Sequence, residues 1–346
     1  MKVDTPIKYM VCVRSITYNQ SEFVTDTMDG FCAQRSKFPY VCVIIDDAST
    51  DGEQNLIYNY IDNYFNRCEP PVFYQEETDD YILVYAQHKK NENCFFAVFF
   101  LKYNHYSINK DKTPYFEKWQ DNSKYIAFCE GDDYWIDTHK LQRQVNFMDT
   151  HPDYTLFFHN AIVRYENHDY PDKIMRAFET GDYNTRGIFE KWHLPLASVL
   201  CKREIMDEPL LVELNKVFEG GFCFFITATK TGKVYGLSEC LSVYRKNVGG
   251  VSNLMSEWEI LKRHYGYARL TEDASVLEYV DDEAFRRLIK YMPRYLLRNE
   301  GGKKMADAVK HNNKKVFYKA LLLYPFLLPG IIYDKLKNKI HGKENY

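Results

Sequence analysis

The stretch Tyr125-Ile126-Ala127-Phe128-Cys129-Glu130-Gly131-Asp132-Asp133-Tyr134-Trp135 decides how the rest of the chain is read. An apolar run of strand length ends in three carboxylates around one glycine, followed by two large aromatics. A short, uninterrupted apolar run is the signature of a strand buried on both faces. The acids therefore fall where that strand leaves its sheet. Like charges so close repel one another, and a hard divalent cation, Mg²⁺ or Mn²⁺, relieves that repulsion through carboxylate oxygens. The stretch implies a strand end that holds a metal for a phosphate-bearing substrate.

Working outward, the same pattern recurs upstream. Lys8 to Arg14 reads as a buried strand that runs into Ser15-Ile16-Thr17-Tyr18-Asn19. Asn19 with Glu22 three residues on resembles a capping box, and Val24, Met28, Phe31 and Cys32 give the following helix an apolar face. Tyr40 to Ile45 is a second apolar strand, stopped by Asp46-Asp47-Ala48-Ser49-Thr50-Asp51-Gly52 before a helix from about Glu53 to Phe65. Apolar strands alternating with helices predict an α/β fold, a mostly parallel sheet with helices on both faces. Ligands of such sheets bind beyond the carboxyl ends of the strands. Three polar loops, Thr17 to Asn19, Asp46-Asp47 and Glu130 to Asp133, then share one site.

Further along, Tyr81 to Tyr85 reads as a strand and Cys94 to Tyr103 as a buried helix or strand. Asn104 to Ser123 reads as a polar surface excursion, and Lys140 to Met148 as a helix. Tyr154 to His159 and Pro195 to Leu200 are candidate strands, Phe222 to Thr231 a helix, and Val234 to Tyr244 an extended segment. From Ser256 the character changes. Phe285, Leu288, Ile289 and Met292 form a helical stripe, and Gly301-Gly302 breaks the chain. The expected division is 1–255 as the catalytic domain and 256–346 as a helical extension. Within 303–346, lysines flank the apolar run Ala320 to Tyr333, which Pro325 and Pro329 break and which is too short to span a bilayer. Such a segment suits peripheral contact with an anionic membrane, or equally a helix packed on the domain with a solvated lysine face.

Composition narrows the classes. The 346 residues are 45% apolar with a net charge of −3, which argues against a disordered chain and against a nucleic-acid partner. Nine cysteines are scattered, several within apolar runs and none in C-x-x-C spacing. That usage suits reduced thiols in a cytoplasmic setting, and Met1 to Met10 has no apolar signal core.

Four segments in order carry a family likeness: Ile-Thr-Tyr-Asn at 16–19, Asp-Asp-Ala-Ser-Thr-Asp-Gly at 46–52, Glu-Gly-Asp-Asp-Tyr-Trp at 130–135 with Lys140-Leu141-x-x-Gln144 behind it, and Tyr-Arg-x-x-x-Gly-Gly-x-Ser at 244–252. Together they resemble the family-2 glycosyltransferases of the GT-A fold, of the bacterial surface-polysaccharide type, over roughly Tyr9 to Ser252. The resemblance implies a metal-dependent, inverting, hexosyltransferase-type enzyme. It would move a sugar from a nucleotide-sugar, UDP-linked by preference, to a hydroxyl of a glycan or lipid-linked acceptor at the inner face of the cell membrane. By the same likeness Tyr18 lies against the donor's base and Asp47 hydrogen-bonds it. Glu130 and Asp132 bind the donor ribose and diphosphate, and Arg245 pairs with phosphate or braces the acidic cluster. Asp132, Asp133 and Asn247 are the candidate ligands of Mn²⁺ or Mg²⁺.

The likeness has two gaps. Asn247 stands where relatives often have His. The usual catalytic Asp position falls on Gly221, which leaves Glu219 as the candidate base. Rival readings are a catalytically silent nucleotide-sugar-binding module of the same fold and a sugar nucleotidyltransferase. The second would normally show a Gly-rich, Lys/Arg-bearing phosphate loop after the first strand, and Ser15 to Gln20 has neither feature.

Overall fold

The structure, a computed structural model, describes residues 9–68, 70, 72–167, 170–184, 194–215 and 221–247, together with 314, 315 and 318. The chain divides into two compact units, the first made of Met1–Thr185, His193–Glu208 and Phe224–Asn247, the second of Arg186–Trp192, Pro209–Cys223 and Val248–Tyr346.

The first unit is built on a single sheet of twelve strands. At its centre β1 (Tyr9–Thr17) pairs in parallel with β2 (Tyr40–Asp46) and with β6 (Ser123–Phe128). β2 pairs in parallel with β5 (Cys94–Leu101). Every residue of β2 and β5 is buried, as expected where helices cover both faces. Beyond β5 the sheet turns antiparallel through β4 (Tyr81–Gln87) to an edge strand, β3 (Phe73–Glu77).

On the other side β11 (Leu200–Lys202) pairs antiparallel with both β6 and β8 (Tyr154–Tyr165). β8 then pairs in parallel with β12 (Lys233–Lys246), whose far side carries the short β10 (Gly181–Tyr183). β7 (Tyr134–Trp135) adds to β12, and β9 (Lys173–Ile174) to β8. The expected α/β fold is present, with the parallel pairing concentrated in the centre of a mixed sheet.

The helices are α1 (Val24–Cys32), α2 (Glu53–Tyr64), α3 (Thr113–Gln120), α4 (Lys140–Thr150), α5 (Pro209–Asn215) and α6 (Gly221–Thr231). α2 starts behind Gly52, whose φ of 93° is left-handed and comfortable only without a Cβ. The core joins the inner faces of β1, β2 and β5 to Met28 and Phe31 of α1 and Ile57 and Ile61 of α2.

Several local expectations change. Asn19 does not cap α1: it sits at φ 54°, the helix begins at Val24 with no side-chain cap, and the Asn19 amide turns to the neighbouring loop instead. Cys94 to Leu101 is a strand. The excursion after it contains α3, because Phe116 and Trp119 bury completely and anchor an otherwise polar stretch. Pro195 to Leu200 is mostly a 3₁₀ turn, Leu196–Ser198, with the strand starting only at Leu200. Glu219 and the 303–346 segment's apolar run lie outside the described residues. Among the described residues no helix is long and apolar enough to cross a membrane.

Candidate active site

Parallel register brings the C-terminal ends of β1, β2 and β6 to one edge, with Thr17 opposite Asp46 and Arg14 opposite Phe128. The three polar loops named from the sequence meet there, held by dense hydrogen bonding. Glu53, wholly buried at the first turn of α2, is the knot between the first two. Its carboxylate accepts from the Thr17 hydroxyl, from the Gln20 backbone N–H at 2.9 Å and from Ser49 Oγ at 2.8 Å. Asn19 adds a reciprocal pair, its N–H donating to Ser49 Oγ (2.9 Å) and its Oδ1 accepting from the Thr50 N–H (2.7 Å).

The acidic loop docks on the same strand end. The Gly131 N–H donates to the Ile16 carbonyl at 3.0 Å, and the Ile16 N–H donates to Glu130 Oε2 at 3.2 Å. From α1 the Thr27 hydroxyl reaches the carbonyls of Gly131 (2.9 Å) and Asp133 (2.6 Å). Gly131 has no room for a side chain, since a Cβ there would lie 2.5 Å from Thr17 Cβ and 2.7 Å from Gln20 Oε1.

Three carboxylates share this loop, and burial penalises their charge. It pushes Glu130 up to about 7, with the Asp132 charge adding to the shift. It also raises Asp132, against the Asn247 hydrogen bond. Asp133 is held well above the usual carboxylate range by burial and by Asp132, against the Arg245 backbone N–H. That N–H donates to Asp133 Oδ1 at 2.9 Å. Asn247 Nδ2 donates to Asp132 Oδ2 at 3.0 Å. As placed, the amide nitrogen orients Asp132, and an oxygen ligand from Asn247 requires the amide turned over.

Arg245 is buried behind the loop. Its guanidinium donates to Glu166 Oε1 (2.6 Å) and the Asp132 carbonyl (3.2 Å), pairs with Asp26, and lies 4.3 Å from the centre of the Tyr134 ring. Of the two roles open to it from the sequence, bracing is the one these contacts describe. β12 delivers Arg245 and Asn247 to the loop because Val243 pairs with Tyr134 across β7.

Tyr18 directly follows β1 and is 45% exposed, free to meet a ligand. Asp47 is only 2% exposed. Its Oδ1 accepts from the His105 N–H (2.7 Å), its Oδ2 from the Tyr106 N–H (3.1 Å), and Lys112 Nζ lies 2.9 Å away. Asn104 Nδ2 donates to the Asp47 carbonyl at 3.0 Å. The excursion after β5 therefore clamps this loop. His105 is structural, its ring nitrogens 2.9 Å from the Tyr103 carbonyl and from the Tyr115 hydroxyl. Sequence reading missed Glu53, Thr27 and Lys112. The first stood in plain view behind Asp51-Gly52, whereas nothing in the polar run around Lys112 marked it out.

Among the described residues no three Asp, Glu, His or Cys side chains converge as a ready-made metal cage. The donor set nevertheless suits a hard cation. Among the described residues no Lys or Arg nitrogen forms an ion pair with the Glu130 or Asp132 carboxylate, and the more distant charges of Arg14 and Lys112 on Glu130, and of Arg245 and Lys246 on Asp132, offset their repulsion and desolvation only in part. Mg²⁺-type sites commonly use one or two carboxylates and complete the shell with substrate phosphate.

No protein-family profile matches the chain. It is 27% identical over 237 residues to the uncharacterized protein Rv1520 of Mycobacterium tuberculosis, covering 68% of this chain and 59% of that one. An uncharacterized Mycobacterium bovis protein, Mb1547, matches to the same extent. The chain thus spans about three-fifths of the length of these relatives. It is 24% identical over 258 residues to TuaG of Bacillus subtilis, whose name assigns it to teichuronic acid biosynthesis as a glycosyltransferase, covering 74% of this chain and 86% of TuaG. Among solved structures, residues 1–349 of Staphylococcus aureus TarS in complex with UDP-GlcNAc superimpose with a TM-score of 0.55 at 15% identity, over 90% of this chain and 79% of that one. That likeness is one of fold, and it agrees with the four sequence segments in their order. The described residues of this chain form a glycosyltransferase-type GT-A fold.

Proposed function

We propose that this chain is a metal-dependent, inverting glycosyltransferase that transfers a sugar from a nucleotide-sugar to a hydroxyl of a glycan or lipid-linked acceptor. One observation carries the reading: the buried acidic Glu130-Gly131-Asp132-Asp133 turn, without an ion-pair partner among the described residues, stands at the carboxyl edge of the parallel strands, between the Tyr18 loop and the end of β12. TuaG and TarS support it, the first by its name and the second by a fold shared with a chain that holds UDP-GlcNAc. UDP is accordingly the first nucleotide to test.

In this reading Tyr18 lies on the base, Asp47 keeps the base-side loop in shape, and Glu130 and Asp132 face ribose and diphosphate. Asp132 is the first-choice ligand of Mn²⁺ or Mg²⁺, with Asp133 and a turned Asn247 amide as further candidates. A bound cation supplies charge stabilisation for the departing diphosphate. The acceptor hydroxyl forms a new bond to the anomeric carbon as the carbon–oxygen bond to diphosphate breaks. Its proton passes to a general base, for which Glu219 is the candidate. The 303–346 segment is proposed as a peripheral contact with the inner membrane face.

The test is release of nucleoside diphosphate from a panel of nucleotide-sugars with Mn²⁺ and candidate acceptors. Release that disappears in Asp132→Ala is expected. Tight donor binding without turnover in the unmodified chain would instead select the silent binding module.

A further inference from the structure

The Lys140-Leu141-x-x-Gln144 segment has no part in the chemistry above, yet it contains a costly side chain. Lys140 is the first residue of α4 and is wholly buried. Among the described residues no carboxylate forms an ion pair with it. Its Nζ donates to Gln144 Oε1 at 2.8 Å and lies 4.1 Å from the centre of the Trp135 ring. A buried ammonium without an acid is expensive, and a methionine would fill similar volume without that cost.

The surroundings show what the ammonium touches. Trp135 closes the acidic turn, two residues beyond Asp133, and its Nε1 donates to the Ala197 carbonyl at 2.9 Å. Gln144 Nε2 donates to the adjacent Ser198 carbonyl at 2.9 Å. Since Lys140 takes up Oε1 of Gln144, it also fixes which way that amide faces. Trp135, Lys140 and Gln144 thus form a closed strut that ties the end of the acidic turn to the 3₁₀ turn before β11. We propose that Lys140 is a positioning residue for the acidic turn, its buried ammonium holding the Trp135 ring and with it the placement of Asp132 and Asp133.

A chemical signature follows. Burial lowers the Lys140 amine to about 7, with Cys129 and Asp137 opposing that shift. The ring contact needs the cation, so the strut weakens as pH rises through that value. The other groups facing it are Cys129 from the loop after β6, Asp137 ahead of α4, and His159 from β8. Burial takes the Cys129 thiol well above its ordinary range and His159 well below its own. Neither titrates alongside the amine.

Two measurements on the full chain test the proposal, and only the second rests on the transferase reading. The first is tryptophan emission between pH 5.5 and 8.5, recorded in a Glu130→Gln background that removes the Glu130 titration near the same value. One transition centred near pH 7 is expected, absent in both Lys140→Met and Trp135→Phe. No transition, or one that persists in Lys140→Met, overturns the idea even if the chain turns over no donor. The second is the ratio of wild-type to Lys140→Met kcat as a function of pH, which cancels the titration of Glu130 near the same value. The ratio is expected to be on the order of tenfold at pH 6 and to fall several-fold by pH 8.5, with the thermal midpoint of Lys140→Met at or above that of the wild type. A ratio that does not change with pH, or an activity loss that merely follows a lowered midpoint, refutes the positioning role.

Discussion

Replacing Asp47 by Asn separates the base-binding role expected from the sequence from the clamping role its contacts describe in the fold. In the folded chain both oxygens of Asp47 are already occupied by the His105 and Tyr106 N–H groups and by Lys112. Asn keeps one carbonyl oxygen for His105, but its NH₂ group would face the Tyr106 N–H and the Lys112 ammonium, donors against donors. Lys112 has a side chain only 14% exposed, so its charge cannot simply move into water. Removing one member of a largely buried pair costs about 3 to 5 kcal/mol. With a urea slope of about 3 kcal/mol per molar for a domain of this size, the unfolding midpoint should drop by about 1 to 1.7 M. The assay is urea unfolding followed by far-UV circular dichroism, without nucleotide. A midpoint that stays put while nucleotide affinity falls would refute the clamp and make Asp47 a direct ligand of the base.

Two more outcomes follow. Gly131→Ala should cost about 1 to 3 kcal/mol through overpacking against Thr17 and Gln20, seen as a lower unfolding midpoint, and nucleotide affinity should fall with it. In EDTA, Glu130 should make the fold less stable as pH rises from 4.5 through 7. Its folded value of about 7 lies above the unfolded 4.5, so the native state holds the extra proton across that window and gives up the advantage as it ionises. Urea midpoints across pH 4.5 to 8 test this, and Glu130→Gln should flatten that part of the profile.

Much of this was legible in the chain because the central strands are buried on both faces. Tyr40 to Ile45 and Tyr125 to Phe128 leave no periodicity to confuse, and their ends are marked abruptly by acids. β3 was not read, since Phe-Tyr-Gln-Glu-Glu at a sheet edge carries too little apolar signal. The clamp on Asp47 was also hidden: its contacts are made by backbone N–H groups of His105 and Tyr106, and a backbone donor leaves no trace in residue type. Asn19 misled because a short amide side chain serves a helix start and a left-handed turn equally well. Lys140 was quoted only as part of a motif, and its burial could not be foreseen from a residue type that is rarely buried.

Among the described residues the sheet ends at β3 on one side and at β10 on the other, and the character of these margins affects how the protein behaves in concentrated solution. β3 ends in Gln75, Glu76 and Glu77, all exposed, and β10 at the opposite margin is three residues long. A second molecule that tried to extend the sheet would meet a row of carboxylates at one side and too short a ladder at the other. Such margins discourage strand addition between copies.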